Sequence, residues 1–167
     1  GHVAARDAEW AERIHTQRIQ HGSIAGRMEV CLTHRSLATL SVRLEHQYLN
    51  TQAIAEYLAA RTEVLRVRYP GLPTDPAHTI AKRQTQLFGP VVSFVVADQG
   101  HAERFLQSCP LVYEATSFGG IHTAAERRAR WGGDNIPAGF IRLSAGCENT
   151  EDLLNDLAHA LDTAGHV

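Results

Sequence analysis

Phe140–Gly146 reads FIRLSAG, an arginine set among apolar residues in a segment patterned like a buried strand. Alternation puts Ile141 and Leu143 on one face and Phe140, Arg142 and Ser144 on the other. A guanidinium on a buried sheet face is costly unless paired, and its planar fork suits a carboxylate held by two hydrogen bonds. Arg142 is either paired with an internal Asp or Glu, on a solvated face, or matched to the carboxylate of a bound molecule, and spacing alone leaves these open. Upstream, Glu114–Gly120 reads EATSFGG. A strand is expected to end at Thr116 and Ser117, before two glycines that let backbone approach a ligand closely. Together the two stretches outline a site for a small anionic molecule.

Other chemistry is thinly represented. No H-x-x-x-H or H-E-x-x-H pattern occurs among the ten histidines, so no metal site is expected. Cys31, Cys109 and Cys147 are far apart and form no C-x-x-C pair, which points to reduced thiols. Lys82 is the single lysine beside fifteen arginines. The formal charge of -2 gives no basic excess for nucleic acid. No apolar run approaches the ~20 residues of a membrane span, and the N-terminus lacks a signal-peptide pattern. A cytoplasmic protein is expected.

These residues need elements to place them. A short strand is expected at His2–Ala5, then a helix capped by Asp7 and ending near the glycines at 22 and 26. A helical pattern from Met28 to Ala60 carries Leu37, Leu40, Leu44, Tyr48, Ile54 and Leu58, with a split expected near Asn50. Strands are expected at Val64–Tyr69, Val91–Ala97, Leu111–Ala115 and Ile141–Ala145. Helices are expected after Asp75, over His101–Ser108, and after Asn149 or Thr150; Ala124–Arg130 reads as partly helical. The last helix carries a stripe of Leu153, Leu154, Leu157 and Leu161, which should meet Ile141 and Leu143. The fold class is therefore α/β (α+β): a mostly antiparallel four-stranded sheet with helices on one face, preceded by a strand-helix segment of different origin.

Five stretches carry a family resemblance: HRSLATLSVRLEHQ (His34–Gln47), VRYPGLPTDPAH (Val67–His78), AKRQ (Ala81–Gln84), TSFGG (Thr116–Gly120) and IRLSAGCENTEDLLNDL (Ile141–Leu157). In this order they resemble the C-terminal portion of the pyridoxal-phosphate enzymes of Cys/Met metabolism, the cystathionine γ-lyase and γ-synthase family. The resemblance implies residues 1–27 as the tail of a large cofactor-binding domain and residues 28–167 as the small C-terminal domain. It implies that Arg142 grips the substrate's α-carboxylate and that Ser117, beside Thr116, orients substrate and catalytic lysine. His122 stands where many members have a glutamate that influences which sulfur amino acid is accepted. The stretch ERRARWGG (Glu126–Gly133) is shorter and more basic than the family's usual insert.

The family's Schiff-base lysine lies in the large domain, and GHVAARD resembles the strand just after it. Lys82 matches a different family lysine, on a helix, where a solvated amine is expected. The resemblance thus implies a carbon–sulfur lyase or synthase of transsulfuration, with a substrate such as cystathionine, completed by an N-terminal domain and assembled as a tetramer. This chain alone is expected to be inactive and to bind no cofactor. The rival reading is a non-catalytic α/β module that binds an amino acid or serves as an assembly surface.

Overall fold

The computed structural model describes residues 3–133 and 135–165. The chain divides into two compact units, Gly1–Leu40 and Ser41–Val167. The first holds helices α1 (Ala8–Gln20) and α2 (Arg27–Leu37). Asp7 caps α1, its carboxylate accepting from the Glu9 and Trp10 amides at 2.8 and 3.2 Å, which satisfies two of the free first-turn donors. Neither helix has a buried residue. Of the strand expected at His2–Ala5, His2 lies outside the described residues and Val3–Ala5 is irregular.

The long helical pattern does split, but at Ala38–Thr39 rather than near Asn50. The Ser36 carbonyl accepts from the Ala38 and Thr39 amides there, and a tight turn replaces the helical ladder. Helix α3 (Leu40–Ala60) then runs unbroken through Asn50. The asparagine does not disturb the helix because its side chain finds partners outside it, described below. The buried face of α3 is Gln47, Asn50, Thr51, Ile54, Ala55 and Leu58; of the expected stripe, Leu37, Leu40 and Leu44 are exposed.

The second unit is built on a five-stranded sheet, one strand more than expected. In chain order its elements are β1 (Arg66–Arg68), α4 (His78–Gln84), β2 (Val91–Val95), α5 (Gln99–Gln107), β3 (Tyr113–Glu114), β4 (Ala124–Arg127), β5 (Phe140–Ser144) and α6 (Thr150–Gly165). The spatial order is β1-β2-β5-β4-β3, antiparallel except for β3 beside β4. The added strand is β4, in the segment read as helical. Its residues form good helix in isolation, but all four are buried alongside β5, and ladder bonds plus burial outweigh a few tenths of a kcal/mol of propensity per residue. Only Arg128–Trp131 is helical, as a single 3₁₀ turn.

One face of β5, Ile141 and Leu143, is fully buried in an apolar cluster with Val92, Phe94, Phe105 of α5, Ile54 and Leu58 of α3, and Leu153, Leu157 and Leu161 of α6. Asn149 caps α6, its side-chain oxygen accepting from the Glu151 and Asp152 amides. The register sets Arg142 between Ser93 of β2 and Glu126 of β4, so these three share the opposite face. Parallel strands cannot be joined by a tight hairpin. The chain between β3 and β4 must return along the sheet, and that return loop contains Thr116–His122.

Candidate functional site

The site is the polar face of β5 and the return loop. Arg142 is half-buried, its side chain 21% exposed. Its Nη2 donates to Glu126 Oε1 at 2.5 Å and to the Thr116 carbonyl, and its guanidinium lies 5.1 Å above the Phe118 ring, within cation–π range. Nη2 has two hydrogens and both are engaged. Nε and Nη1 donate to no described residue, leaving three N–H groups for an incoming acceptor.

Glu126 is the residue that the sequence reading missed. Its carboxylate is fully buried and also accepts from the Trp131 indole N–H at 3.0 Å and from Arg128 at 3.2 Å. Burial alone pushes its pKa up; the Trp131 and Arg128 hydrogen bonds and the positive charge of Arg142 outweigh that and hold the carboxyl below the usual range. Glu126 is therefore an anion, and the internal partner anticipated for Arg142 exists. The signal was obscured because a helical Glu126 would not stand beside Arg142, whereas a strand pairing places it there.

The loop carries the other expected residues. Thr116, Ser117 and His122 are exposed. Gly119 has φ +76, a left-handed backbone suited to glycine, and its amide donates to Ser144 Oγ at 2.9 Å. Ser117 and His122 line a depression of about 400 Å³ with Tyr113, Ala115, Gly120, Ile121 and Ala124. The His122 ring stands 5.4 Å from Tyr113, and its Nδ1 is 3.8 Å from Glu148 Oε1. Glu148 is itself fixed, accepting from the Thr123 amide and hydroxyl at 2.8 and 2.7 Å. The structure thus brings Thr116 to Arg142 directly, and sets Ser117 and His122 around the neighbouring depression.

A half-buried arginine with a free side, backed by a buried carboxylate and edged by a glycine loop, defines an α/β domain suited to holding a small anionic group. Comparison with known proteins identifies the class. The model of the Cys/Met metabolism PLP-dependent enzymes matches residues 1–162, and the chain belongs to that family. A Streptomyces coelicolor relative, provisionally named cystathionine gamma-lyase, is 49% identical over 97% of this chain and 41% of its own length. Cystathionine gamma-lyase of Bos taurus is 35% identical over 98% of this chain and 43% of its own. Among solved structures, a cystathionine gamma synthase from Xanthomonas oryzae pv. oryzae in complex with cystathionine matches with TM-score 0.90 and 32% identity, over 96% of this chain and 44% of that one. The chain thus spans less than half the length of these relatives. No helix among the described residues is long and apolar enough to cross a membrane.

The family uses pyridoxal phosphate, which is held through a lysine amine in a desolvated pocket. The one lysine here, Lys82, is exposed on α4. The residues of this chain do not fit that attachment site.

Proposed function

We propose that this chain is the substrate-side, C-terminal part of a pyridoxal-phosphate carbon–sulfur lyase or synthase that acts on a sulfur amino acid such as cystathionine. It works in the cytoplasm, joined to an N-terminal cofactor-binding portion and assembled as a tetramer of whole chains, and is inactive by itself. Residues 1–27 are the tail of the large domain and residues 28–167 the small domain. The many exposed apolar side chains of α1 and α2, among them Trp10, Met28, Val30 and Leu32, support a surface completed by other parts of the protein.

The observation that carries this reading is Arg142, anchored through Nη2 and open through Nε and Nη1. It receives the α-carboxylate of the substrate and fixes how the amino acid lies, which is catalysis by orientation. Thr116 and Ser117 border the same amino acid on the loop, and His122 stands at the end of the depression that receives its sulfur-bearing side chain. When bound, the cofactor supplies the electron sink for breaking bonds at Cα.

Arg142→Lys tests the assignment in the whole protein. Lysine keeps the charge beside Glu126 but loses the planar fork. The expected result is a ~10- to 100-fold weaker affinity for an amino acid with cofactor content unchanged; unchanged affinity overturns the carboxylate role. The Glu126 contact favours a second reading, in which Arg142 is only an internal bridge and the chain serves as an assembly surface. That reading expects the same substitution to lower stability and leave amino-acid affinity alone.

A further inference from the structure

Helix α3 buries polar side chains against the two chain segments that frame the site. Gln47 is 1% exposed and Asn50 fully buried. The Gln47 amide nitrogen donates to the Gly120 carbonyl at 2.5 Å and to the Ala145 carbonyl at 3.2 Å. The first acceptor lies in the Thr116–Gly120 loop. The second directly follows the strand of Arg142. One side-chain nitrogen therefore ties the loop to that strand, from a third element. Asn50 continues the arrangement, donating to the Gly146 and Glu148 carbonyls at 3.0 and 2.9 Å and accepting from the Thr150 hydroxyl at 2.6 Å. Glu148 in turn holds Thr123, at the far end of the loop.

Packing alone does not account for Gln47. Its side-chain oxygen is buried with no hydrogen-bond partner among the described residues, and an unpaired buried acceptor is destabilising. An apolar residue of similar volume would avoid that cost, but it would release both carbonyls and remove the one side chain that bonds loop and strand at the same atom. The other ties between them lie nearer the surface or toward the loop's far end: the Arg142 contacts to the Thr116 carbonyl and the Phe118 ring, the Gly119 amide to Ser144, the Cys147 amide to the Ile121 carbonyl, and the Gly146 and Glu148 contacts to Thr123.

We propose that Gln47, supported by Asn50, is a positioning residue that sets the Ser117 loop at a fixed distance from Arg142, so that an amino acid meets both at once. The proposal rests on the assignment of Arg142 to the substrate carboxylate. Gln47 touches no substrate; it acts through the two segments that do.

The test uses the cofactor-loaded whole protein and two ligands without a leaving group, L-norleucine and pentylamine, which is norleucine without its carboxylate. Dissociation constants are measured by calorimetry. Gln47→Met is expected to weaken norleucine about 10-fold and pentylamine less than about twofold, with cofactor content unchanged. A purely structural role would weaken both ligands alike or only lower the melting temperature. Arg142→Lys is run in parallel. Selective loss of norleucine in Arg142→Lys but not in Gln47→Met overturns the positioning role alone. No selective loss in Arg142→Lys overturns the carboxylate assignment and this proposal with it. If Gln47→Met does not fold, Gln47→Asn, one methylene shorter but still a donor, must show the same selectivity at smaller amplitude, and its absence overturns the proposal.

Discussion

The two faces of strand β5 differ in almost every respect although their residues alternate along five positions. Ile141 and Leu143 are fully buried among aliphatic and aromatic side chains from three helices. Arg142, one residue from each, sits among Glu126, Phe118 and the Thr116 carbonyl. The first face stabilises the domain through apolar area removed from water, at ~25 cal/mol per Å². The second keeps a charge in place through one buried carboxylate and stays open on one side. The difference teaches that the apolar face tolerates no lost volume, whereas the polar face tolerates volume changes but no lost partner.

The largest expected effect breaks the apolar face. Leu143→Ala should cost about 2–5 kcal/mol, read as a lower denaturation midpoint, with amino-acid selectivity unchanged in the protein that remains folded. The next breaks the polar face from beneath. Arg142→Met leaves the fully buried Glu126 with Trp131 and Arg128 as its side-chain partners among the described residues, and removing one partner of a buried pair costs up to ~3–5 kcal/mol. Restoring neutrality with Glu126→Gln in the same chain should recover part of that loss, and a double-mutant cycle of melting curves measures the coupling.

A third prediction sharpens the comparison by pH. The carboxyl of Glu126 is held below its unfolded value of ~4.3. Its contribution is therefore fully present above that value and is lost as pH falls through the lower folded pKa. Wild type should lose stability more steeply than Glu126→Gln as pH falls below that unfolded value, and parallel slopes would show that Glu126 does not titrate differently on folding. The smallest effect is expected far from both faces. Lys82→Ala, at an exposed position of α4, should leave stability within about 0.5 kcal/mol and the cofactor content of the whole protein unchanged. Loss of bound cofactor would overturn the exclusion of Lys82 as its attachment point.

Local chemistry was legible in the residues. The alternation around Arg142, the leucine stripe of α6, the Asp7 and Asn149 caps and the glycine loop each follow from short-range rules of pitch, pleat and capping, and the structure contains them. The motifs that mark the family are local as well, and the family match covers nearly the whole chain. Three features were decided only by tertiary structure. Glu126 became the partner of Arg142 because β4 pairs with the edge of β5, a contact between residues sixteen positions apart that overrides helix propensity. Helix α3 runs on through Asn50 because Asn50 spends its side chain on carbonyls nearly a hundred residues away rather than on its own backbone. Gln47 bonds both segments because the return loop and the end of β5 converge on one turn of α3. In each case the deciding interaction is a hydrogen bond or ion pair whose partner is distant in sequence. Periodicity reports which face of an element is apolar, but not which polar groups the fold brings opposite it.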